Sequence, residues 1–134
     1  MIHYREGLKY QLAQAHSEQI NIRPPKAVDT YWVQLSLEGW LTIRAGYGWD
    51  GPSGPTIDTP SAMVGSLVHD ALYQLIRLGF LSPDTRKTAD EEYRHLCIRD
   101  GMCRPRAALH FDALRLFGAS SAVPSAERPV LTAP

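Results

Sequence analysis

The sequence is short of three things, and each shortage closes off a class of protein. It has two cysteines in 134 residues, Cys97 and Cys103, six positions apart and without a Cys-x-x-Cys pair. Neither a disulfide framework nor a zinc ribbon is expected, and both thiols are read as reduced. It has no excess charge, because 14 basic and 14 acidic side chains cancel. That removes the broad positive field on which non-specific affinity for phosphate backbones depends, so no nucleic acid is expected as a partner. It also has no apolar run near the roughly 18–20 residues of a membrane span, and no transmembrane segment is expected. The stretch from Met1 to Glu6 lacks the charged-then-apolar layout of a secretion signal, so synthesis and folding are expected in a cytoplasm.

What is present is an ordinary globular composition, 44% hydrophobic and 21% charged, in a length that suits one domain. The patterning changes near residue 59. Before it, Val33-Gln34-Leu35-Ser36-Leu37 and Leu41-Thr42-Ile43-Arg44-Ala45 alternate apolar with polar around a Glu38-Gly39 turn, which reads as a hairpin with one buried face. Leu8 to Ala15 and Gln19 to Ile22 read as weaker strands. Arg23-Pro24-Pro25-Lys26 must be a connector, since proline cannot donate to a ladder.

Residues 46 to 59 hold four glycines and two prolines in fourteen positions, too many for a helix or central strand. A shaped loop is expected there. Thr59 and Pro60 then mark a helix start by cap and first-turn preference, and Gly79 marks its end. Met63, Val64, Leu67, Val68, Ala71, Leu72, Leu75 and Ile76 recur at helical spacing over a wide arc, so this helix should be largely buried. A second helix is expected from Thr85 or Thr88 to Asp100, with Thr88 and Glu91 able to form a capping box. A third is expected from near Pro105 to Gly118. The fold expected is therefore α+β, an N-terminal antiparallel sheet of three or four strands followed by the Gly/Pro-rich loop and three α-helices. Residues 1–118 form one domain, and 119–134 a flexible C-terminal tail ordered only through contact with another chain.

The polar residues of the first helix carry the chemistry. His69 and Tyr73 are four apart and share a face, while Asp70 is turned by about 100° toward a different neighbour. A neutral imidazole acts as a general base when a carboxylate or hydroxyl fixes its tautomer and a water lies within reach. In an antiparallel helical hairpin the early turns of the second helix lie beside the late turns of the first, so Asp90 is expected against His69, with Asp50 as the other candidate. The other imidazole nitrogen is expected to face a cleft under the loop. Asp70 and Asp50, and also Asp58, are candidate oxygen ligands for Ca²⁺ or another divalent ion. The loop residues Gly48, Gly51, Ser53 and Gly54 could contribute backbone carbonyls without side chains in the way. The competing reading is a satisfied structural His–Asp pair. Tyr47 and Trp49 read as loop anchors, His95 and His110 as surface or packing residues, and Arg86 as the partner of a loop carboxylate.

Two resemblances follow from these residues. Gly46-Tyr47-x-Trp49-Asp50-Gly51-Pro52-Ser53-Gly54-Pro55-Thr56, then Ser66-Leu67-x-His69-Asp70-Ala71-Leu72-Tyr73, then Arg86 with Ala89-Asp90, and Arg115-x-Phe117-Gly118 resemble a bacteriophage and prophage family known only as a domain of unknown function. That resemblance implies a phage or prophage source without assigning an activity; synthesis in the host cytoplasm is expected with it, incorporation into the virion is left open, and other phage proteins or further copies are the expected partners through the tail. The five residues His69-Asp70-Ala71-Leu72-Tyr73 also resemble the H-D-x-x-Y helix of phospholipase A2 enzymes, which follows a glycine-rich calcium loop. This second resemblance implies His69 as the base for a hydrolytic water, Asp70 as a calcium ligand, and Tyr73 with Asp90 as orienting groups. Two functions are therefore expected to compete: a metal-assisted hydrolase acting on an ester or amide, and a non-catalytic virion or tail component that docks neighbouring subunits through its loop and tail.

Overall fold

A computed structural model describes residues 10–49 and 59–123. The expected α+β order is observed, six short strands followed by three helices. The strands are β1 (Tyr10–Gln11), β2 (His16–Gln19), β3 (Val28–Asp29), β4 (Val33–Leu35), β5 (Trp40–Ile43) and β6 (Gly48–Trp49). The helices are α1 (Pro60–Arg77), α2 (Thr85–Arg99) and α3 (Arg104–Phe117).

The predicted hairpin is β4–β5, in register Val33 to Ile43 and Leu35 to Leu41. Its alternation does what a period of two dictates. Val33, Leu35, Leu41 and Ile43 are fully buried, while Gln34 and Trp40 face outward. Gly39 closes the turn at a φ of 88°. The hairpin sits inside an antiparallel sheet of order β2-β5-β4-β3. Here two expectations shift. The strand placed at Gln19 to Ile22 lies earlier, at His16–Gln19, and Ile20 and Ile22 are buried beyond its end as core anchors. The stretch before β4 adds β3, two residues too short to show a period.

Part of the segment expected as an irregular loop is a strand. Gly48–Trp49 pairs with Tyr10–Gln11 as a two-stranded ribbon, so Gly48 is a strand residue opposite Gln11 and not part of an irregular loop. The reason is the inward alternation of Tyr47 and Trp49, both buried. Both act as anchors to α1, as expected: the Tyr47 hydroxyl donates to Gln74 Oε1 at 3.0 Å and Trp49 Nε1 donates to Ser66 Oγ at 3.0 Å. Asp50, Gly51, Ser53, Gly54 and Asp58 lie outside the described residues.

The apolar arc of α1 joins the hairpin face in one core, where Val68, Ala71, Leu72, Leu75 and Ile76 are buried in the same cluster as Val33, Leu35, Leu41 and Ile43. At roughly 1.5–3 kcal/mol for each large side chain taken from water, this cluster is the main source of stability. Pro60 opens the helix as expected, but Thr59 makes no side-chain capping bond to its backbone. The second helix starts at Thr85, because Ser82 and Pro83 accept from Thr85 N and Arg86 N and begin the turn early. Thr88 and Glu91 are thus inside the helix and not a capping box.

Gly65 lets α1 and α2 approach closely, since a Cβ there would stand 2.9 Å from Cys97 Sγ and 3.1 Å from the Tyr93 carbonyl oxygen. Contacts between residues 65 and 97, 69 and 90, and 73 and 86 show that the two helices run antiparallel. Helix α3 runs back along α2 in turn, with Arg115 beside Asp90 and His110 beside Tyr93. Two polar ties hold α2 to the sheet side: Glu92, buried, accepts from Asn21, and Arg99 pairs with Glu18. Both cysteines are outside disulfides, Cys97 buried and Cys103 exposed. No helix among the described residues is long and apolar enough to cross a membrane.

The first four residues assigned to a flexible tail are instead packed within the chain. Ala119–Ala122 is a 3-10 turn whose Ala122 enters the main core, and Arg77 Nη1 donates to the Ser121 carbonyl at 2.9 Å. A small side chain suffices to dock there, which is why low hydrophobicity misled the expectation. Residues 124 to 134 lie outside the described residues.

Candidate functional site

Position 69 is one of three buried polar positions of α1, with Ser66 and Gln74. His69 is 5% exposed and points from α1 toward α2. There its Nε2 meets Asp90 Oδ1 at 2.7 Å, the pairing predicted from helical-hairpin geometry. One turn later on α1, the Tyr73 hydroxyl donates to the same oxygen at 2.6 Å. The two rings lie against each other with centroids 4.1 Å apart. His69, Tyr73 and Asp90 therefore form one constellation.

Asp90 itself is fully buried, and a carboxylate can stand in such a place only when its lone pairs are met by donors. They are. Oδ2 accepts from Arg115 Nη1 of α3 at 2.7 Å, and Arg86 Nη1, one turn earlier on α2, lies 3.7 Å away. The loop carboxylates that the sequence offered to Arg86 lie outside the described residues. Arg86 donates to the Tyr73 hydroxyl at 3.2 Å and to the carbonyl oxygens of Leu114 and Arg115 at the end of α3. That geometry orients the phenol. With Arg86 donating to it, the Tyr73 oxygen directs its own hydrogen to Asp90.

No family model, curated protein or solved structure matches the chain. The reading of the site rests on its own geometry.

The electrostatics follow from these contacts. Burial disfavours the charged form of His69, but the carboxylates of Asp70 and Asp90 outweigh it and hold the imidazole above its ordinary pKa. Burial likewise disfavours ionised Asp90, but His69, Tyr73 and Arg115 outweigh it and hold the carboxyl below its ordinary value. The pair is thus an imidazolium and a carboxylate through mildly acidic pH. Tyr73 is pushed far up, by burial first and then by Asp90, and stays a phenol.

Asp70 is turned away from Asp90, as its helical offset requires. Its side chain is 37% exposed, and its Oδ1 stands 4.0 Å from His69 Nδ1, beyond hydrogen-bond length. One acid thus flanks each imidazole nitrogen, the buried one fixing Nε2 and the exposed one lying beside Nδ1. Among the described residues no three His, Cys, Asp or Glu side chains converge as a cation site.

Sequence reasoning missed two contributors. Arg115 was visible as a residue but without a role, because its partner sits on another helix. Its signal is one of bookkeeping: a buried carboxylate that meets a histidine and a tyrosine still has an oxygen to satisfy. Gly118, which ends α3, is the other. A Cβ there would come 2.8 Å from the Tyr73 hydroxyl and 2.6 Å from the Leu114 carbonyl oxygen, so only glycine lets the backbone approach the phenol this closely. His110 is a packing residue, buried, with its Nδ1 2.6 Å from the Tyr93 hydroxyl, and His95 is a surface residue.

Proposed function

We propose that the protein is a phage-encoded hydrolase of ester or amide bonds in which His69 is the general base. One observation carries this reading: a single buried carboxylate oxygen accepts from both His69 Nε2 and the Tyr73 hydroxyl, which fixes the imidazole tautomer with the proton on Nε2 and the lone pair on Nδ1. A water within reach of Nδ1 would lose its proton to the ring as it attacks the carbonyl carbon. Asp70, exposed beside that nitrogen, is the charged ligand for a divalent ion that would polarise the carbonyl oxygen. Oxygen donors of this kind suit Ca²⁺, and Asp50 with the backbone of Gly51, Ser53 and Gly54 are the proposed further ligands. The resemblance to the H-D-x-x-Y helix of phospholipase A2 enzymes supports the same assignment of roles.

The test is hydrolysis of short-chain acyl esters and of phospholipid vesicles, with and without Ca²⁺. His69→Ala is expected to abolish turnover, and Asp70→Asn to remove the effect of Ca²⁺ on both rate and melting temperature. Turnover that survives His69→Ala would sink the proposal.

A second reading, a virion or tail component made in the host cytoplasm, is favoured by one specific observation. Leu109, Leu116 and Phe117 on α3 are each about two-thirds or more exposed, a patch suited to a subunit neighbour. Its test is the oligomeric state of the purified chain, where a monomer that neither self-associates nor enters particles would count against it.

A further inference from the structure

Asp90 and Glu92 are both buried on α2 and stand two residues apart, so they look to nearly opposite sides of the helix, about 200° from one another. Asp90 is met by His69, Tyr73 and Arg115. Glu92 has no such company. Its Oε2 accepts from the backbone N and the Nδ2 of Asn21, at 3.1 and 2.8 Å. Among the described residues Oε1 accepts no hydrogen bond, and neither oxygen has a cation beside it. Glu92 is 3% exposed, yet no fully buried side-chain oxygen among the described residues lacks a partner, so Oε1 is the part of the residue that reaches the surface. It opens there onto a groove of about 350 Å³, lined also by Asn21, by Glu91 and Arg94 of α2 and by Arg104 of α3.

We propose that this groove binds a small zwitterion, an ammonium joined to a carboxylate as in a free amino acid or a short peptide, with the ammonium on Glu92 Oε1 and the carboxylate on Arg104 and Arg94. The groove lies on the side of α2 away from Asp90, and the proposal stands whether or not His69 is a base.

The buried acid carries the first half of the argument. Glutamate is almost never shut away from water unless a cation pairs with it, because two hydrogen bonds from an amide-bearing neighbour do not replace a full hydration shell. A primary ammonium is compact, brings three donors and fits an oxygen that opens at the floor of a groove. The other walls carry the second half. Glu92 is tied to Asn21 on the sheet side, whereas the Arg94 guanidinium lies over the Phe111 ring of α3, 4.4 Å from its centroid, and Arg104 is the first residue of α3. Arg104 is exposed and, among the described residues, makes no hydrogen bond or ion pair. Acid and base are thus offered from different walls, two carboxylates against two guanidiniums. A simple cation would be repelled by Arg94 and Arg104, and a simple anion by Glu91 and Glu92. A molecule with both charges meets complementary groups at each end. The volume limits its size, since about 350 Å³ is at the small end of ligand sites, which run roughly 300–1,000 Å³.

The experiment is an amide NMR titration of the full chain with glycine, glycylglycine, N-acetylglycylglycine and glycylglycinamide. Saturable shifts are expected at the Asn21 side-chain amide and the Arg104 backbone amide, with a dissociation constant of about 1 mM for so small a ligand. Whether glycine or glycylglycine binds tighter separates a free amino acid from a peptide as the source, and either supports the site. Capping the amine or the carboxylate is expected to weaken binding about tenfold, the loss of one charge-assisted contact. Glu92→Gln keeps an amide oxygen for Asn21 and sets an NH₂ group where the ammonium would sit, so it too is expected to weaken binding about tenfold. Arg104→Ala, at an exposed position, is expected to weaken it about threefold. No saturation by tens of millimolar overturns the proposal. So does N-acetylglycylglycine binding as well as glycylglycine, or binding that Glu92→Gln leaves unchanged. Should Glu92→Gln fail to fold, the capped ligands on the wild type and the Arg104→Ala variant decide in the same way: losses at both ends support the zwitterion, and indifference at either end overturns it.

Discussion

Replacing Asp90 with asparagine removes one charge and almost no volume, so it isolates the electrostatics of the three-helix junction. In the wild type the fully buried carboxylate accepts from His69, Tyr73 and Arg115. In the variant a buried imidazole loses its anion. Removing one partner of a buried ion pair costs about 3–5 kcal/mol, and because Arg115 can turn toward water the lower end, about 3 kcal/mol, is expected. For a chain of this size that lowers the melting temperature by about 10 °C. The loss must also depend on pH. His69 has its pKa raised from 6.5, so its contribution is complete below 6.5 and fades as pH rises through the folded value. Asp90 has its pKa lowered from 3.8, so its contribution is complete above 3.8 and fades as pH falls through the folded value. Between those limits the wild type holds both, whereas Asp90→Asn keeps only what Asp70 gives His69, so the gap between them is widest near pH 5 and shrinks toward pH 8. Thermal melts followed by circular dichroism at pH 5 and pH 8 check this. An equal gap at both would mean that a neutral hydrogen bond, and not an ion pair, joins α1 to α2.

Other perturbations probe the same junction from its edges. Gly118→Ala would put a Cβ against the Tyr73 hydroxyl and the Leu114 carbonyl; a loss of about 1–3 kcal/mol in urea unfolding is expected, and a neutral result would show that the end of α3 has room to yield. Native protein mixed with a thiol reagent should react at one cysteine, the exposed Cys103, while Cys97, buried and with its thiol pushed up to about 11 chiefly by burial, reacts only in denaturant. Two fast thiols would mean that α1 and α2 separate readily at Gly65.

What could be read in the sequence, and what could not, divides by the range of the interactions. Helix α1 was legible from end to end because Pro60, Gly79 and the repeat of buried residues between them are local signals. The β4–β5 hairpin was legible for the same reason. Of the ribbon, Tyr10–Gln11 falls in the stretch read as a weak strand, but Gly48–Trp49 and the pairing itself were not legible, since a two-residue strand has no period and the pairing joins distant segments. Nor was the docking of Ala122, where a single methyl group is enough. Within the site, His69 and Asp90 could be matched because a short connection forces two helices to run antiparallel, and spacing along each then fixes which residues meet. Arg115 depends on a third helix whose angle no local pattern determines. Yet the need for such a residue follows from the first pairing alone. A carboxylate shut away from water with a histidine and a tyrosine on one oxygen requires a donor on the other, and a cation from a neighbouring helix both satisfies it and keeps it ionised. A histidine buried on α1 therefore implies more than its own partner: it implies a counter-charge for that partner, and α3 is where the fold provides it.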